Sequence, residues 1–155
     1  MSVDKTSSSK TDLVSASSRP APGLSSPSGK TRPRVMLVDD NDAFLSAMEL
    51  LLPRLFDIEI VSSEQTGLEA LEKLKTTEVD LVIVDYKMPG LNGLTFARRA
   101  REAHIWTRLL LVTFNPDPSL EGDARDSGAD GVINKAEIQE DLQQYLPCWF
   151  GCSGR

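Results

Sequence analysis

The chain has 155 residues, of which 40% are apolar and 26% charged, enough for one compact domain plus a tail. No apolar run approaches the roughly 20 residues of a membrane span, and the N-terminus lacks the apolar core of a secretory signal, so the expectation is a cytoplasmic protein with no membrane partner. Residues 1–34 carry six bases and two acids, or +4, against a net charge of −6, which leaves −10 on residues 35–155 and argues against nucleic acid as a direct partner, because duplex binding depends on Lys and Arg neutralising phosphates.

Residues 1–33 are rich in Ser, Pro, Gly, Thr and Lys and poor in large apolar side chains. Such a segment buries too little surface to offset its ordering entropy, and it is expected to be a disordered tail. Within it, Gly23–Thr31 reads GLSSPSGKT, but five residues separate the first Gly from the Gly-Lys pair. A phosphate-binding P-loop requires four there and a preceding strand, so this is not one.

From Arg34 short apolar runs alternate with helix-period segments. Val35–Val38, Ile58–Val61, Leu81–Val84, Leu109–Val112 and Gly131–Ile133 read as strands, most of them continuous apolar runs suited to a sheet covered on both faces. Phe44, Leu45, Met48, Leu51, Leu52 and Leu55 recur at helical spacing, with Pro53 expected to end or kink that helix late. Leu68, Leu71 and Leu74 mark a second helix and Leu94, Ala97 and Ala100 a third, with His104 at a surface position near its end. A weak fourth helix is expected at Pro118–Gly128, where Pro116, Pro118 and Gly122 lower propensity, and a fifth at Ile138, Leu142, Tyr145 and Leu146. Five β-α units with right-handed crossovers predict an α/β fold, a doubly wound five-stranded parallel sheet, over residues 34–146. Residues 147–155 form a short C-terminal tail in which Trp149 and Phe150 are expected to pack back, and Cys148 and Cys152 read as free thiols.

In a doubly wound fold, chemistry collects at the carboxyl ends of the strands. Those ends carry Asp39 and Asp40 after the first strand and Asp85 after the third. Thr113 closes the fourth, and Lys135 follows the fifth. Three carboxylates packed together repel and require a cation or shared protons. An all-oxygen, carboxylate-rich pocket suits Mg²⁺, which also accepts phosphate oxygens. Lys135 adds positive charge and Thr113 a hydrogen-bond donor, a set able to neutralise a transferring phosphoryl group while a carboxylate attacks phosphorus. Asp39 or Asp40 could also cap the first helix, and Asp85 could serve turn chemistry.

The sequence resembles a response-regulator receiver domain of the two-component phosphorelay type, with a flavodoxin-like fold, from about Arg34 to Leu146. The resemblance rests on LVDD (37–40), DYKMPGLNG (85–93), LLLVT (109–113) and GADGVINK (128–135), and Asp85 to Gly93 fits the Asp-x-x-Met-Pro-x-x-x-Gly signature at every fixed position. It implies that Asp85 takes a phosphoryl group from a histidine kinase or a histidine phosphotransfer protein. It implies Mg²⁺ on Asp40 and Asp85, with Asp39 acting through water and the Lys87 carbonyl as a further ligand. Thr113 would grip the phosphoryl oxygens, and Lys135 would pair first with the Asp85 carboxylate and then with its phosphate.

Three positions depart from the pattern: Ala136 stands where many receivers have Pro, Val132 where the family places a switch aromatic, and Phe114 where a small residue is usual. Only 20 residues follow Lys135, so the expectation is a stand-alone receiver whose output is binding to a further protein, with helix four, strand five and helix five as the responsive face. A phosphorylation-independent pseudo-receiver module is the alternative. Turnover of an external substrate is not expected: phosphatases of the haloacid dehalogenase type carry a second Asp two residues after the nucleophile, and Lys87 stands there.

Overall fold

The structure, a computed structural model, describes residues 32–151. The expected tail as far as Thr31, the Gly23–Thr31 stretch within it and Cys152 therefore lie outside the described residues, whereas Pro33, also placed in that tail, is buried with its carbonyl accepting the Glu59 N–H at 2.9 Å. Five strands, β1 (Arg34–Val38), β2 (Glu59–Glu64), β3 (Leu81–Asp85), β4 (Arg108–Thr113) and β5 (Gly131–Asn134), alternate with five helices. These are α1 (Asp42–Leu55), α2 (Gly67–Leu74), α3 (Gly93–Glu102), α4 (Pro118–Ser127) and α5 (Ile138–Phe150). The strands form one parallel sheet in the order β2-β1-β3-β4-β5. The doubly wound α/β architecture expected from the sequence is the one observed.

Strand periodicity divides the apolar side chains into two layers. Met36, Val38, Val82, Val84, Leu109 and Leu111 face Ala70 and Leu74 of α2, Phe96, Ala97 and Ala100 of α3, and Ala124 of α4. Val35, Leu37, Leu81, Ile83, Leu110, Val112 and Ile133 face Leu45, Met48 and Leu52 of α1 and Ile138, Leu142 and Leu146 of α5. Such two-sided burial is why β1, β3 and β4 read as unbroken apolar runs. At about 25 cal/mol per Å² of apolar surface, these layers supply most of the free energy that holds the sheet edge in shape.

The edge strand β2 runs to Glu64, past the expected end at Val61. Its last residues, Ser62, Ser63 and Glu64, pair with Met36, Leu37 and Val38 although they carry no apolar signature, because an edge strand is only half covered. The buried face of α2 is Gly67, Ala70 and Leu74, while Leu68 is 58% exposed. Of the leucines that mark this helix, Leu74 is buried and Leu71 packs against the core, and only Leu68 points away. Gly67 lets the helix approach closely, since a Cβ there would stand 2.6 Å from Leu91 Cδ2.

Helix α4 is better built than its composition implies. Asp117 caps it by accepting the Leu120 N–H, Pro118 occupies the first turn, where its fixed φ suits a helix, and Gly128 ends it in the left-handed region. Only Gly122 falls in its interior. Pro53 lies within α1 two residues before its end, in line with the expected late termination. The tail expected from residue 147 is instead helical as far as Phe150, with Pro147 inside α5. Trp149 and Phe150 lie in its last turn and pack against the α1/α5 layer, with the Trp149 ring 4.8 Å from Tyr145 and under the Arg108 guanidinium at 5.1 Å.

The end of α3 uses the same device as α4 but without glycine. His104, exposed with φ 61°, donates its N–H to Arg101 O, and Ile105 N–H reaches back to Ala100 O. A left-handed L-residue costs about 1–2 kcal/mol that glycine does not incur, partly offset by glycine's greater freedom when unfolded. His104→Gly is expected to raise stability by roughly 0.5–1 kcal/mol in urea titration, with the denaturant slope unchanged; a loss of stability would show that the His104 side chain contributes contacts of its own.

Candidate functional site

Four adjacent strands, β1, β3, β4 and β5, end on the same edge of the sheet, and each delivers one part of the site. Asp39 and Asp40 follow β1, Asp85 is the last residue of β3, Thr113 the last of β4, and Lys135 the first after β5. The chain order reverses between β1 and β3, the switch point at which open α/β sheets bind ligands. All the side chains that the sequence selected are therefore brought together.

The loop after Asp85 explains the spacing of DYKMPGLNG. Met88 and Leu91 are buried anchors in the α2/α3/α4 layer. Gly90 turns the chain at φ 80°, and the Asn92 side chain caps α3 by accepting the Thr95 N–H at 2.9 Å. Gly93 donates to Tyr86 O at 2.9 Å, and a Cβ on it would sit 3.0 Å from Asp85 O, so the helix start closes against the end of β3. Tyr86 N–H in turn reaches Val112 O of β4. These bonds and contacts fix the direction in which Asp85 leaves the sheet.

One carboxylate oxygen from each of Asp39, Asp40 and Asp85 lies within 4.8 Å of the others. Asp39 is 2% exposed and Asp85 8%, whereas Asp40 is open to solvent. The Lys135 ammonium sits 2.6 Å from Asp39 Oδ2 and 3.7 Å from Asp85 Oδ2. The pairing with Asp85 that the resemblance implies is present, but the shorter contact is with Asp39. The buried Asp39 oxygen is the poorer in solvent, so it draws the cation more strongly. Asp39 Oδ1 accepts the Asn41 N–H at 2.8 Å, and Asn41 itself caps α1 through the Phe44 N–H. Neither Asp39 nor Asp40 is the capping residue; Asn41 does that work and leaves both carboxylates to the site.

Thr113 is buried, and its hydroxyl accepts the Asn115 N–H at 3.3 Å. Lys87 is exposed, and its backbone N–H donates to the Asp85 carboxylate. Sequence reasoning assigned Phe44 to the helix core only; in the fold its ring also faces Lys135 Nζ, 4.4 Å from the ring centre, and the Phe114 ring lies 5.4 Å from the same nitrogen. No sequence spacing links residues 44, 114 and 135, so these contacts were not legible beforehand.

The Asp85 carboxyl is pushed up from its ordinary 3.8 to about 6, first by burial and then by the neighbouring Asp39 charge, with Lys135 opposing both. Three carboxylates against the Lys135 ammonium leave an excess of negative charge. An oxygen-only donor set of this size and sign fits Mg²⁺, for which Asp39, Asp40 and Asp85 are the candidate holders.

The family model described as the response regulator receiver domain matches residues 35–147. The chain is 30% identical over 108 residues to the fimbriae Z protein of Salmonella typhimurium, covering 70% of this chain and 51% of that protein. It is 28% identical over 117 residues to the response regulator GacA of Pseudomonas viridiflava, covering 76% and 55%. The chain thus spans about half the length of the curated relatives it matches. A LuxR-family two-component response regulator from Aurantimonas sp. superposes with a TM-score of 0.71 at 25% identity, covering 78% of this chain and 86% of that one.

The raised Asp85 carboxyl has a consequence for stability. A carboxyl that binds its proton more tightly when folded favours the folded state below about pH 4, and that advantage is lost as pH rises through about 6. Ionised Asp85 therefore costs up to about 3 kcal/mol at neutral pH, at 1.36 kcal/mol per unit. With divalent ions chelated, Asp85→Asn is expected to raise Tm at pH 7.5 and to give little or no gain at pH 4. An equal gain at both pH values in thermal melts would assign the effect to packing and not to charge.

Proposed function

The chain belongs to the response regulator receiver domain family, and from that premise we propose that Asp85 is its phosphoacceptor, charged by a histidine kinase or a histidine phosphotransfer protein. The observation that carries this reading is the convergence of Asp39, Asp40, Asp85 and Lys135 on one edge of the sheet, with the Lys135 ammonium in reach of two of the carboxylates.

An Asp85 carboxylate oxygen forms the bond to phosphorus while the donor's N–P bond breaks and its electron pair stays on the imidazole. Transfer replaces the single Asp85 carboxylate charge by an acyl phosphate with about two negative charges on its phosphoryl oxygens, which draws Lys135 from Asp39 towards the new anion. The Thr113 hydroxyl, at the end of the neighbouring strand, is the donor for a phosphoryl oxygen. Mg²⁺, when held by Asp40 and Asp85 with Asp39 and the Lys87 carbonyl in support, would neutralise the clustered carboxylates and the arriving phosphate. The chemistry is self-modification and its reversal by water. Lys87, exposed at the position where a second acid would serve an external substrate, supports the absence of a turnover activity.

Output in this reading is a binding event of the receiver unit itself, as in a stand-alone receiver in the cytoplasm. Among the described residues no helix is long and apolar enough to cross a membrane. One observation favours the pseudo-receiver alternative: Val132, half-buried against the α4 side of the sheet, offers no ring to swing between states.

Incubation with Mg²⁺ and a phosphorylated histidine kinase, followed by intact-mass measurement, is expected to add one phosphoryl group to the wild type and none to Asp85→Asn, with chelation abolishing the adduct. An adduct that persists in Asp85→Asn would move the site elsewhere. No adduct from several protein donors and none from small phosphoryl donors would favour the phosphorylation-independent module.

A further inference from the structure

Phe114 follows Thr113 in the β4–α4 loop and is 63% exposed. A single exposed ring is ordinary on a protein surface, but this one has a specific partner. It lies 5.4 Å from Lys135 Nζ, while the half-buried Phe44 ring in the first turn of α1 lies 4.4 Å from the same nitrogen. An ammonium within about 6 Å of a ring centre is attracted by the ring's quadrupole. That ammonium is already fixed by Asp39 at 2.6 Å and Asp85 at 3.7 Å. Two rings from different elements therefore bracket the cation that touches the phosphoacceptor.

We propose that Phe114, with Phe44, forms an aromatic clamp on Lys135 that makes Phe114 the donor-selecting residue of the Asp85 site. The inference rests on Asp85 being the phosphoacceptor. Because carboxylates on two strands hold the ammonium, its attraction holds the otherwise solvated Phe114 ring at the rim of the site. A small acyl phosphate, or water, must pass this ring without any binding surface with which to move it. A protein donor brings such a surface, and the exposed ring can be buried against it as the phosphohistidine is presented.

The bonds that change are the same for both donors at Asp85. With a small acyl phosphate, the Asp85 oxygen–phosphorus bond forms and the donor's oxygen–phosphorus bond breaks, releasing the carboxylate. With phosphohistidine, the nitrogen–phosphorus bond breaks, and the imidazole nitrogen keeps the electron pair and takes a proton from solvent. In hydrolysis a water oxygen bonds to phosphorus, Asp85 leaves as a carboxylate, and the water gives up a proton. The clamp retards the first and third of these and leaves the second open.

The test uses the full chain with Mg²⁺ and two donors, acetyl phosphate and a phosphorylated histidine phosphotransfer protein. Phe114→Ala is expected to raise both the acetyl phosphate rate and the dephosphorylation rate by up to about tenfold, 1.4 kcal/mol of barrier, while the protein-donor rate stays level or falls. Phe114→Trp, which keeps a π face, is expected to remain slow, and Phe114→Leu, which keeps bulk without one, to be fast. In NMR spectra the ring-current shift of the Lys135 ε-methylene should diminish in Phe114→Ala and in Phe44→Leu, a change that a merely structural role would not produce. Unchanged acetyl phosphate and dephosphorylation rates in Phe114→Ala would overturn the clamp while leaving the phosphoacceptor intact, and Phe114→Leu as slow as the wild type would replace attraction by bulk. A wild type that takes phosphate from neither donor overturns the phosphoacceptor reading, and donor selection with it.

Discussion

Asp39, Asp40 and Asp85 crowd their carboxylates within 4.8 Å of one another, two of them almost out of water, and the Lys135 ammonium 2.6 Å from Asp39 is the interaction that lets the sheet edge close around them. Without that cation the burial of two carboxylates would cost several kcal/mol. Even with it the balance is incomplete, which is why the Asp85 carboxyl stays raised to about 6. A site left short of positive charge is one that a cation or a charge-neutralising reaction can complete. The same shortage that costs stability gives the site its chemistry.

The position of Lys135 is itself prepared by short-range bonds at the end of β5. Asn134 N–H donates to Asp141 Oδ2 in α5 at 2.8 Å, and the Asn134 side chain accepts the Ala136 N–H at 2.9 Å. A 3₁₀ turn, Lys135–Glu137, then leads into α5. These bonds tie the lysine to a helix packed on the opposite layer from α4. Asp85 is braced in the same manner by Met88, Leu91 and Gly93 on the other side of the sheet. The site therefore bridges both layers, and a change of charge at Asp85 bears on elements on each face.

Arg101 shows how the surrounding loops are kept in register. Its guanidinium donates to Gly128 O at 2.9 Å, to Ile105 O at 2.7 Å and to Thr107 O at 2.9 Å, and it pairs with Asp130 at 3.2 Å. Asp130 in turn accepts the Leu109 N–H at 2.8 Å. One planar donor set thus joins the end of α3, the start of β4 and the turn after α4. That the carbonyls bonded here belong to irregular backbone accounts for a nearly buried charge at the amino end of the strands, away from the site.

The sequence by itself determined the five β-α units, the two-sided cover of the sheet and the residues Asp39, Asp40, Asp85, Thr113 and Lys135, because each of these is written locally: an apolar run of strand length followed by a polar residue where the strand ends. Local signals were weaker where burial is partial or backbone-driven. The polar half of β2, Ser62 to Glu64, carried no pattern because an edge strand is half solvated. The buried face of α2 is set by Gly67 and Ala70, since close approach and not side-chain size decides it. Tertiary structure alone decided that Lys135 stands closer to Asp39 than to Asp85, that Asn41 and not an aspartate caps α1, and that Phe44 and Phe114 flank one ammonium. These are distances between segments far apart in the chain, and they follow from how desolvation and charge are shared across the sheet edge once all four strands are in place.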